Sequence, residues 1–135
     1  MFQSVLCAVD FSPESAGVLR GAMIVAQRDQ AALTVLHVLD PLLAQAARMK
    51  YEAGVLEKSA DKDLQALIAQ AAADLPIDPA AVRRLLRIGV PDREILAQAA
   101  EDPATLVVIG THGFSGIRRM FFGSIAARVI GRATT

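Results

Sequence analysis

The chain has 135 residues, of which 53% are apolar and 21% are charged. This length and composition predict one globular domain, residues 1–135, and exclude a mainly disordered chain. Lysine plus arginine equals aspartate plus glutamate at 14 each, so there is no overall positive charge to hold nucleic acid or an anionic membrane. The single cysteine, Cys7, excludes an internal disulfide and a cysteine-rich zinc site, which fits a reducing compartment.

The sequence also lacks the usual signals for membranes and export. No apolar run approaches the roughly 20 residues that cross a bilayer. The first residues lack the basic start and the cleavage region of a signal peptide. Aromatic residues make up only 4%, with no Trp, which leaves little for a surface that stacks single-stranded nucleic acid. We therefore expect a cytoplasmic protein that binds neither membrane nor nucleic acid.

The chain opens with a strand and a helix. Residues 2–9 form a short apolar run that ends at Asp10, which predicts a buried first strand. Ser12 is expected to cap the following helix, with Pro13 at its first position, where a missing N–H has no cost. Apolar residues then recur at helical spacing up to about Arg28.

A second strand and a long helical stretch follow. Residues 32–38 are again an apolar run, and Pro41 prevents the strand from continuing. The stretch 41–73 is rich in Ala, Leu, Gln, Glu and Lys, so it is expected to be mostly helix after a variable start, with a helix from about Val55 to Ala73. Pro76 and Pro79 end it.

The last part of the chain repeats this alternation. Residues 81–88 predict a third strand, and Pro91 opens another helix with two acidic residues in its first turn. Residues 105–109 are the most strand-like run, and a last helix is expected to begin near Gly123. This alternation predicts an α/β fold, a single doubly wound, open parallel sheet with helices on both faces.

Ligands of such folds bind at the carboxyl ends of the strands, where the winding reverses. Asp10 follows the first strand, and Gly110 follows the fourth. From Gly110 the spacing G-x2-G-x9-G-S leads through Gly113 to Gly123 and Ser124. Glycines at these places permit a tight turn and close approach of the backbone to a ligand, and a helix start offers free N–H groups to an anion. The spacing therefore predicts a site for an anionic ligand.

The charge distribution after Asp102 agrees with that ligand. This stretch contains no Asp or Glu but four arginines, at positions 118, 119, 128 and 132. Arg128 and Arg132 are best explained as favourable charges near the end of a helix. For Arg118 and Arg119 two explanations stand: a contact with the anion, or a solvated loop.

With these segments in view, the chain resembles the universal stress protein family, whose ATP-binding members carry G-x2-G-x9-G-[S/T] between the fourth strand and the last helix. The segments VLCAVDFSPES, LTVLHVLD and GVPDREIL resemble the family's first strand with its Asp, its second strand and the start of its third helix. The resemblance covers residues 4–130. It implies strand order 3-2-1-4-5 and an adenosine nucleotide, ATP, AMP or ADP, between strands one and four.

The resemblance also implies which residues bind the nucleotide. Asp10, with the backbone near Ala8 and Val38, holds the adenosine. Gly110 and Gly113 hold the ribose and phosphates. The phosphate tail lies against Gly123, Ser124 and Ile125. Thr111 and His112 complete the loop, where His112 either touches phosphate or only fills a turn.

Several other residues have structural explanations. His37 is expected to be a hydrogen-bonded core residue, and Cys7 a buried, unreactive thiol. Ser12 and Ser115 lie beside no evident base, so they are a cap and a loop residue rather than nucleophiles. No second acid is placed to pair with Asp10, so the sequence predicts no catalytic residue and no protein metal site. Neither a P-loop nor a G-x-G-x-x-G motif is present.

The sequence and the resemblance leave three alternative functions. The first is a cytoplasmic, ATP-binding stress-response sensor or adaptor with an unidentified protein partner. The second is a slow ATPase or phosphotransferase that uses the same loop, with Mg2+ held by Asp10 or by the phosphates. The third is a dimerisation module without nucleotide, which the intact glycine motif disfavours.

A fifth strand is missing from the expected pattern. The family's last helix leads to an apolar fifth strand, through which members commonly dimerise, whereas this sequence stops at Thr135. The predicted strand order is therefore 3-2-1-4, and strand four would be a bare, apolar edge prone to pairing with other chains. We expect that edge to be covered, either by chain beyond the given sequence or by a second copy in a homodimer.

Overall fold

The computed structural model describes residues 2–101, 105–109 and 120–122. Strands and helices alternate along most of this length, as the sequence predicts. In chain order the elements are β1 Ser4–Ala8, α1 Ser15–Asp29, β2 Ala32–Leu39, α2 Pro41–Lys50, α3 Val55–Ala71, a 3-10 turn Pro79–Ala81, β3 Arg83–Ile88, α4 Pro91–Ala100, β4 Thr105–Ile109 and β5 Met120–Phe122.

The strands form one sheet in the order β3-β2-β1-β4-β5. β1 lies in the middle and runs parallel to both neighbours, with Cys7 level with Val35 of β2 and Val108 of β4. β3 continues the sheet beyond β2 in the same direction. The predicted order 3-2-1-4 and the parallel pairing of these four strands are therefore confirmed. The winding reverses between β1 and β4, which is where an open α/β sheet places its ligand.

The edge of β4 is covered, as expected, but by a segment of this same chain rather than by chain beyond Thr135 or by a second copy. The last helix expected near Gly123, and the place of the family's fifth strand after it, lie outside the described residues. Residues 120–122 pair antiparallel with β4, and Phe122 lies opposite Leu106 while Met120 lies opposite Val108. The glycine motif assigned these residues to a loop, but three consecutive apolar residues have high strand propensity. The edge of β4 offers unpaired backbone N–H and C=O groups, and pairing with an apolar segment of the same chain satisfies some of these groups.

Side chains on the first face of the sheet pack against α1 and α3. Parallel strands that are covered on both sides are apolar at nearly every position, so successive residues of β1 and β4 serve opposite faces. On this face Leu19 and Met23 of α1 and Leu64 of α3 are fully buried. The sheet residues that they cover are Val5, Cys7, Val9, Leu33, Val35, Leu106 and Val108.

The second face packs against α4. Ile95 and Ala99 of that helix are buried. They cover the alternate sheet residues Leu6, Ala8, Leu36, Val38, Val107 and Ile109. Helices therefore lie on both faces of the sheet, as predicted, and two apolar layers enclose β1 and β4.

The helix predicted from about Val55 to Ala73 is confirmed as α3, and the variable start before it forms a separate helix, α2. Tyr51 is extended, and Gly54 has a φ of +86°, a left-handed conformation that a continuous helix cannot contain. Glycine favours a break because it costs about 1 kcal/mol relative to alanine inside a helix. The predicted third strand also begins two residues late, because Asp78 accepts a hydrogen bond from Ala80 N and holds a turn there.

β3 is an edge strand that carries charge on both faces. On the α3 side, Arg84 Nε lies 2.7 Å from Asp61 Oδ1. On the α4 side, Arg87 Nε lies 2.8 Å from Glu94 Oε1. Charged side chains on an edge strand discourage pairing with another sheet. In the part of the chain that the structure describes, none of the helices combines the length and the apolar character that a membrane span requires.

Candidate functional site

The candidate site begins where β1 ends. Ala8 is level with Leu36 of β2 and Ile109 of β4. The backbone pairing continues one residue further, since Val9 N donates to Leu36 O at 2.9 Å. Asp10 is therefore the first residue beyond the sheet, at the fork where β2 and β4 diverge to either side of β1. This register brings Asp10 level with Val38, two residues after Leu36.

The carboxylate of Asp10 is fixed by two hydrogen bonds. Oδ1 accepts from the backbone N–H of Ser12 at 3.0 Å and from Ser15 Oγ at 3.2 Å. An ionised carboxylate has about four acceptor positions, so two hydrogen bonds leave it able to accept more. Asp10 is thus held in one orientation at the start of α1 and can still receive donors from a ligand.

These hydrogen bonds also set the charge of Asp10. Burial alone would raise the pKa of this carboxyl. The backbone and side chain of Ser12 and the Ser15 hydroxyl stabilise the charged form more strongly, so the pKa lies below its ordinary value of 3.8. At neutral pH the site therefore contains a negative charge next to the N-terminus of a helix.

The lowered pKa predicts how stability depends on pH. A depressed folded-state pKa contributes stability that is fully present above the unfolded value and is lost as the pH falls through the folded value. We expect the free energy of unfolding to fall less steeply in Asp10→Asn than in the unchanged protein between about pH 5 and about pH 2. Urea unfolding at a series of pH values measures both slopes, and equal slopes would contradict the prediction.

The predicted cap of α1 is wrong. Ser12 was expected to cap a helix with Pro13 at its first position, but α1 begins at Ser15. Phe11 has a φ of +63°, which turns the chain before the helix can start. Asp10 instead accepts from Ser12 N and Ser15 Oγ, and Ser15 N donates to Ser12 O at 3.0 Å. The result is a tight loop of residues 10–14 between β1 and α1.

His37 secures this loop to β2. Its Nδ1 lies 2.8 Å from the carbonyl oxygen of Val9. Because a carbonyl can only accept, Nδ1 carries the proton. The Phe11 ring lies against the imidazole, with 4.4 Å between the ring centroids. The predicted hydrogen bond of His37 is confirmed, although the side chain is half-buried rather than part of the core.

The structure brings together three of the predicted site residues, Ala8, Asp10 and Val38. Ala8 and Val38 are buried in the layer that faces α4. The other predicted site residues lie outside the described part of the chain. They are Gly110, Thr111, His112, Gly113, Gly123, Ser124 and Ile125.

Sequence reasoning missed three residues at this site. Ser15 and Phe11 shape the loop. Phe11 lies against His37 because its φ is positive, and no sequence pattern predicts that φ. Glu14 directly precedes α1, and its Oε2 is enclosed yet accepts no hydrogen bond from the residues that the structure describes. An enclosed carboxylate oxygen without a donor is unfavourable, which makes it a candidate to receive a donor or a cation from a ligand.

Cys7 takes no part in the site. It is fully buried in β1, and burial raises the pKa of its thiol to about 12. A thiol that stays protonated is a poor nucleophile and metal ligand. The prediction that Cys7 is buried is confirmed. Within residues 2–101, 105–109 and 120–122, no three His, Cys, Asp or Glu residues cluster closely enough to hold a metal ion.

Known proteins are similar to this chain in sequence and in fold. The universal stress protein family model matches residues 1–135. Universal stress protein YxiE of Bacillus subtilis is 29% identical over 96% of this chain and 92% of its own length.

Solved structures of universal stress proteins are similar to this chain in fold. A universal stress protein from Archaeoglobus fulgidus has a TM-score of 0.61 at 23% identity, covering 96% of this chain and 92% of its own. Another universal stress protein, solved in complex with cAMP, has a TM-score of 0.55 at 20% identity over 78% of this chain and 70% of its own. With the family match spanning the whole sequence and the fold in agreement, this chain belongs to the universal stress protein family.

Proposed function

We propose that this protein binds an adenine nucleotide, ATP, at the fork between β1 and β4 and acts as a cytoplasmic stress-response sensor or adaptor. The observation that carries the proposal is the Asp10 carboxylate, which is ionised and held at the carboxyl end of β1 by Ser12 and Ser15. The related protein solved with cAMP supports the choice of an adenine nucleotide.

The two ends of the nucleotide make different demands on the site. Hydroxyl groups of a ribose are donors, and an ionised carboxylate such as Asp10 is a strong acceptor for them. The backbone near Ala8 and Val38 would line the adenosine beside it. The phosphates require N–H donors and positive charge, which the glycine motif would supply through Gly110, Gly113, Gly123, Ser124 and Ile125.

Mg2+ fits the chemistry of this edge. Magnesium binds oxygen and usually combines one or two carboxylates with phosphate oxygens and water. With Asp10 receiving the ribose, the phosphates would supply most of the oxygen ligands of Mg2+, and the ion would neutralise part of their charge.

The test is to identify what the purified protein carries. Denaturing the protein and analysing the released small molecules by mass spectrometry is expected to show ATP or AMP in near-equal molar amount to the chain. Calorimetric titration of nucleotide-free protein with ATP then gives the affinity. If no nucleotide is released and ATP produces no binding heat, the proposal of nucleotide binding is wrong.

β5 gives a second, structural prediction. It runs antiparallel to β4, so Phe122 lies beside Leu106, about 10 Å along the strand from the carboxyl edge where Asp10 lies. A phosphate site at that edge that included Gly123 and Ser124 would compete with the β4–β5 pairing. We expect saturating ATP to speed hydrogen exchange of the β5 amides. If ATP binds and exchange in β5 does not change, Gly123 and Ser124 are not part of the site.

A further inference from the structure

We propose that a polar cavity at the amino edge of the sheet, where the parallel strands begin, is a second small-molecule site that binds a free α-amino acid. The inference is independent of nucleotide binding, because the cavity lies at the opposite end of β1 from Asp10. Its volume is about 340 Å3. Ligand pockets start at about 300 Å3, so this cavity suits a small ligand. The polar residues that line it are Ser4, Thr34, Arg83, Gln98, Glu101 and Thr105.

The floor of the cavity is the place where the apolar pattern of the sheet ends. Leu6 and Val107 belong to the apolar layer on the face that α4 covers. Residues two apart in a strand share a face, so Ser4 and Thr105 lie on that same face, one step nearer the amino edge. Their hydroxyl oxygens are 2.8 Å apart. Thr34 of β2 is level with Leu6 and also lines the cavity. The sheet therefore presents hydroxyl groups to this cavity instead of aliphatic side chains.

Arg83 gives the cavity a positive charge that has no partner. It is level with Thr34 and exposed. Among the residues that the structure describes, the Arg83 guanidinium and the Thr34 hydroxyl form neither a hydrogen bond nor an ion pair. The other two arginines of β3 each pair with an acidic side chain. A guanidinium binds a carboxylate through two parallel hydrogen bonds, so Arg83 is a suitable receptor for the carboxylate of a ligand.

The wall that α4 contributes holds a carboxylate in a fixed position. Arg87 Nη1 donates to Gln98 Oε1 at 2.7 Å. Because an arginine can only donate, the oxygen of the Gln98 amide faces Arg87 and its nitrogen is left for another acceptor. That nitrogen donates to Glu101 Oε2 at 3.1 Å. An ionised carboxylate has about four acceptor positions, so Glu101 can still receive donors from an ammonium group.

The separation of these two charges identifies the class of ligand. Arg83 and Glu101 line the same cavity, yet within the described part of the chain they form no ion pair with each other. A ligand that carries both charges satisfies both walls, with its carboxylate on Arg83 and its ammonium group on Glu101. An α-amino acid carries these two groups on one carbon atom. A simple anion or a simple cation would satisfy one wall and leave the other without a partner.

Nuclear magnetic resonance tests whether this cavity binds amino acids. Backbone amide spectra of the whole chain are recorded during titration with each standard L-amino acid at millimolar concentration. Acetate and methylamine, which carry one charge each, are the control ligands. We expect at least one amino acid to produce saturable shifts of the Thr34 and Arg83 amides. Acetate and methylamine are expected to bind about tenfold more weakly or worse, because each forms only one of the two charged contacts.

Two variants test the walls separately. Arg83→Gln and Glu101→Gln are each expected to raise the dissociation constant of that amino acid about tenfold or more, because each removes one charged partner. Both residues are exposed, so the variants keep their fold, which circular dichroism verifies. Arg84→Gln is the matched control, because it makes the same change of charge at the next residue, whose side chain pairs with Asp61 on the opposite face. It should leave the affinity unchanged.

Three results would overturn the proposal. The first is that no amino acid shifts the Thr34 and Arg83 amides in a saturable way. The second is that acetate binds as tightly as the amino acid, which would make the cavity a site for simple anions. The third is that Arg84→Gln weakens binding as much as Arg83→Gln, which would show only a general effect of charge.

Discussion

The Asp10→Ala variant is expected to bind ATP and AMP at least tenfold more weakly than the unchanged protein. Hydrogen bonds to a charged group contribute about 1.5–3 kcal/mol, and a tenfold change in affinity corresponds to about 1.4 kcal/mol. Both nucleotides should be affected alike, because Asp10 is expected to contact the adenosine that they share. Calorimetric titration with each nucleotide measures the two ratios.

Asp10→Asn separates the two roles of this side chain. Asn keeps an oxygen at the position of Oδ1, so it can still accept from Ser12 N and Ser15 Oγ and hold the loop. It lacks the negative charge that strengthens a hydrogen bond from a ribose. We expect Asp10→Asn to fold like the unchanged protein and still bind both nucleotides weakly. Full affinity in Asp10→Asn would show that Asp10 only shapes the loop.

A double change at the arginines provides the contrasting case. Replacing both Arg118 and Arg119 by Ala should weaken ATP more than AMP, because only the additional phosphates respond to the additional positive charge. The ratio of ATP affinity to AMP affinity is the measured quantity. If this double variant and Asp10→Ala change that ratio equally, the division of the site into an adenosine end and a phosphate end is wrong.

Gly113→Val is expected to remove most of the ATP affinity. The motif is proposed to bring backbone N–H groups close to the phosphates, and a β-branched side chain at its second glycine would block that approach and disfavour a positive φ. We expect at least a tenfold loss in calorimetric titration. Gly17→Ala is the control, because a Cβ at Gly17 in α1 meets no other group within 4 Å and should leave affinity unchanged. A folded Gly113→Val protein with normal affinity would remove the loop from the site.

The sequence by itself determined the elements whose signals are local. β1 and β4 are apolar at nearly every position, which is enough to predict strands covered on both faces. Pro91, followed by acidic residues, was enough to predict the start of α4, where the structure confirms it. Asp10 was identified from its place directly after a buried strand, since the carboxyl ends of parallel strands form the ligand edge of such sheets.

Only the tertiary structure decided the features that depend on distant partners or on rare backbone angles. β5 exists because β4 offers it an edge, and a run of three residues is too short to predict alone. The positive φ at Phe11 accompanies a start of α1 at Ser15, and Asp10 holds the preceding loop through Ser12 N and Ser15 Oγ. Leu42 and Met49 have the helical spacing of core residues, and their exposure follows from Ala44 facing the protein, because periodicity defines a stripe without saying which side of the helix the rest of the fold covers.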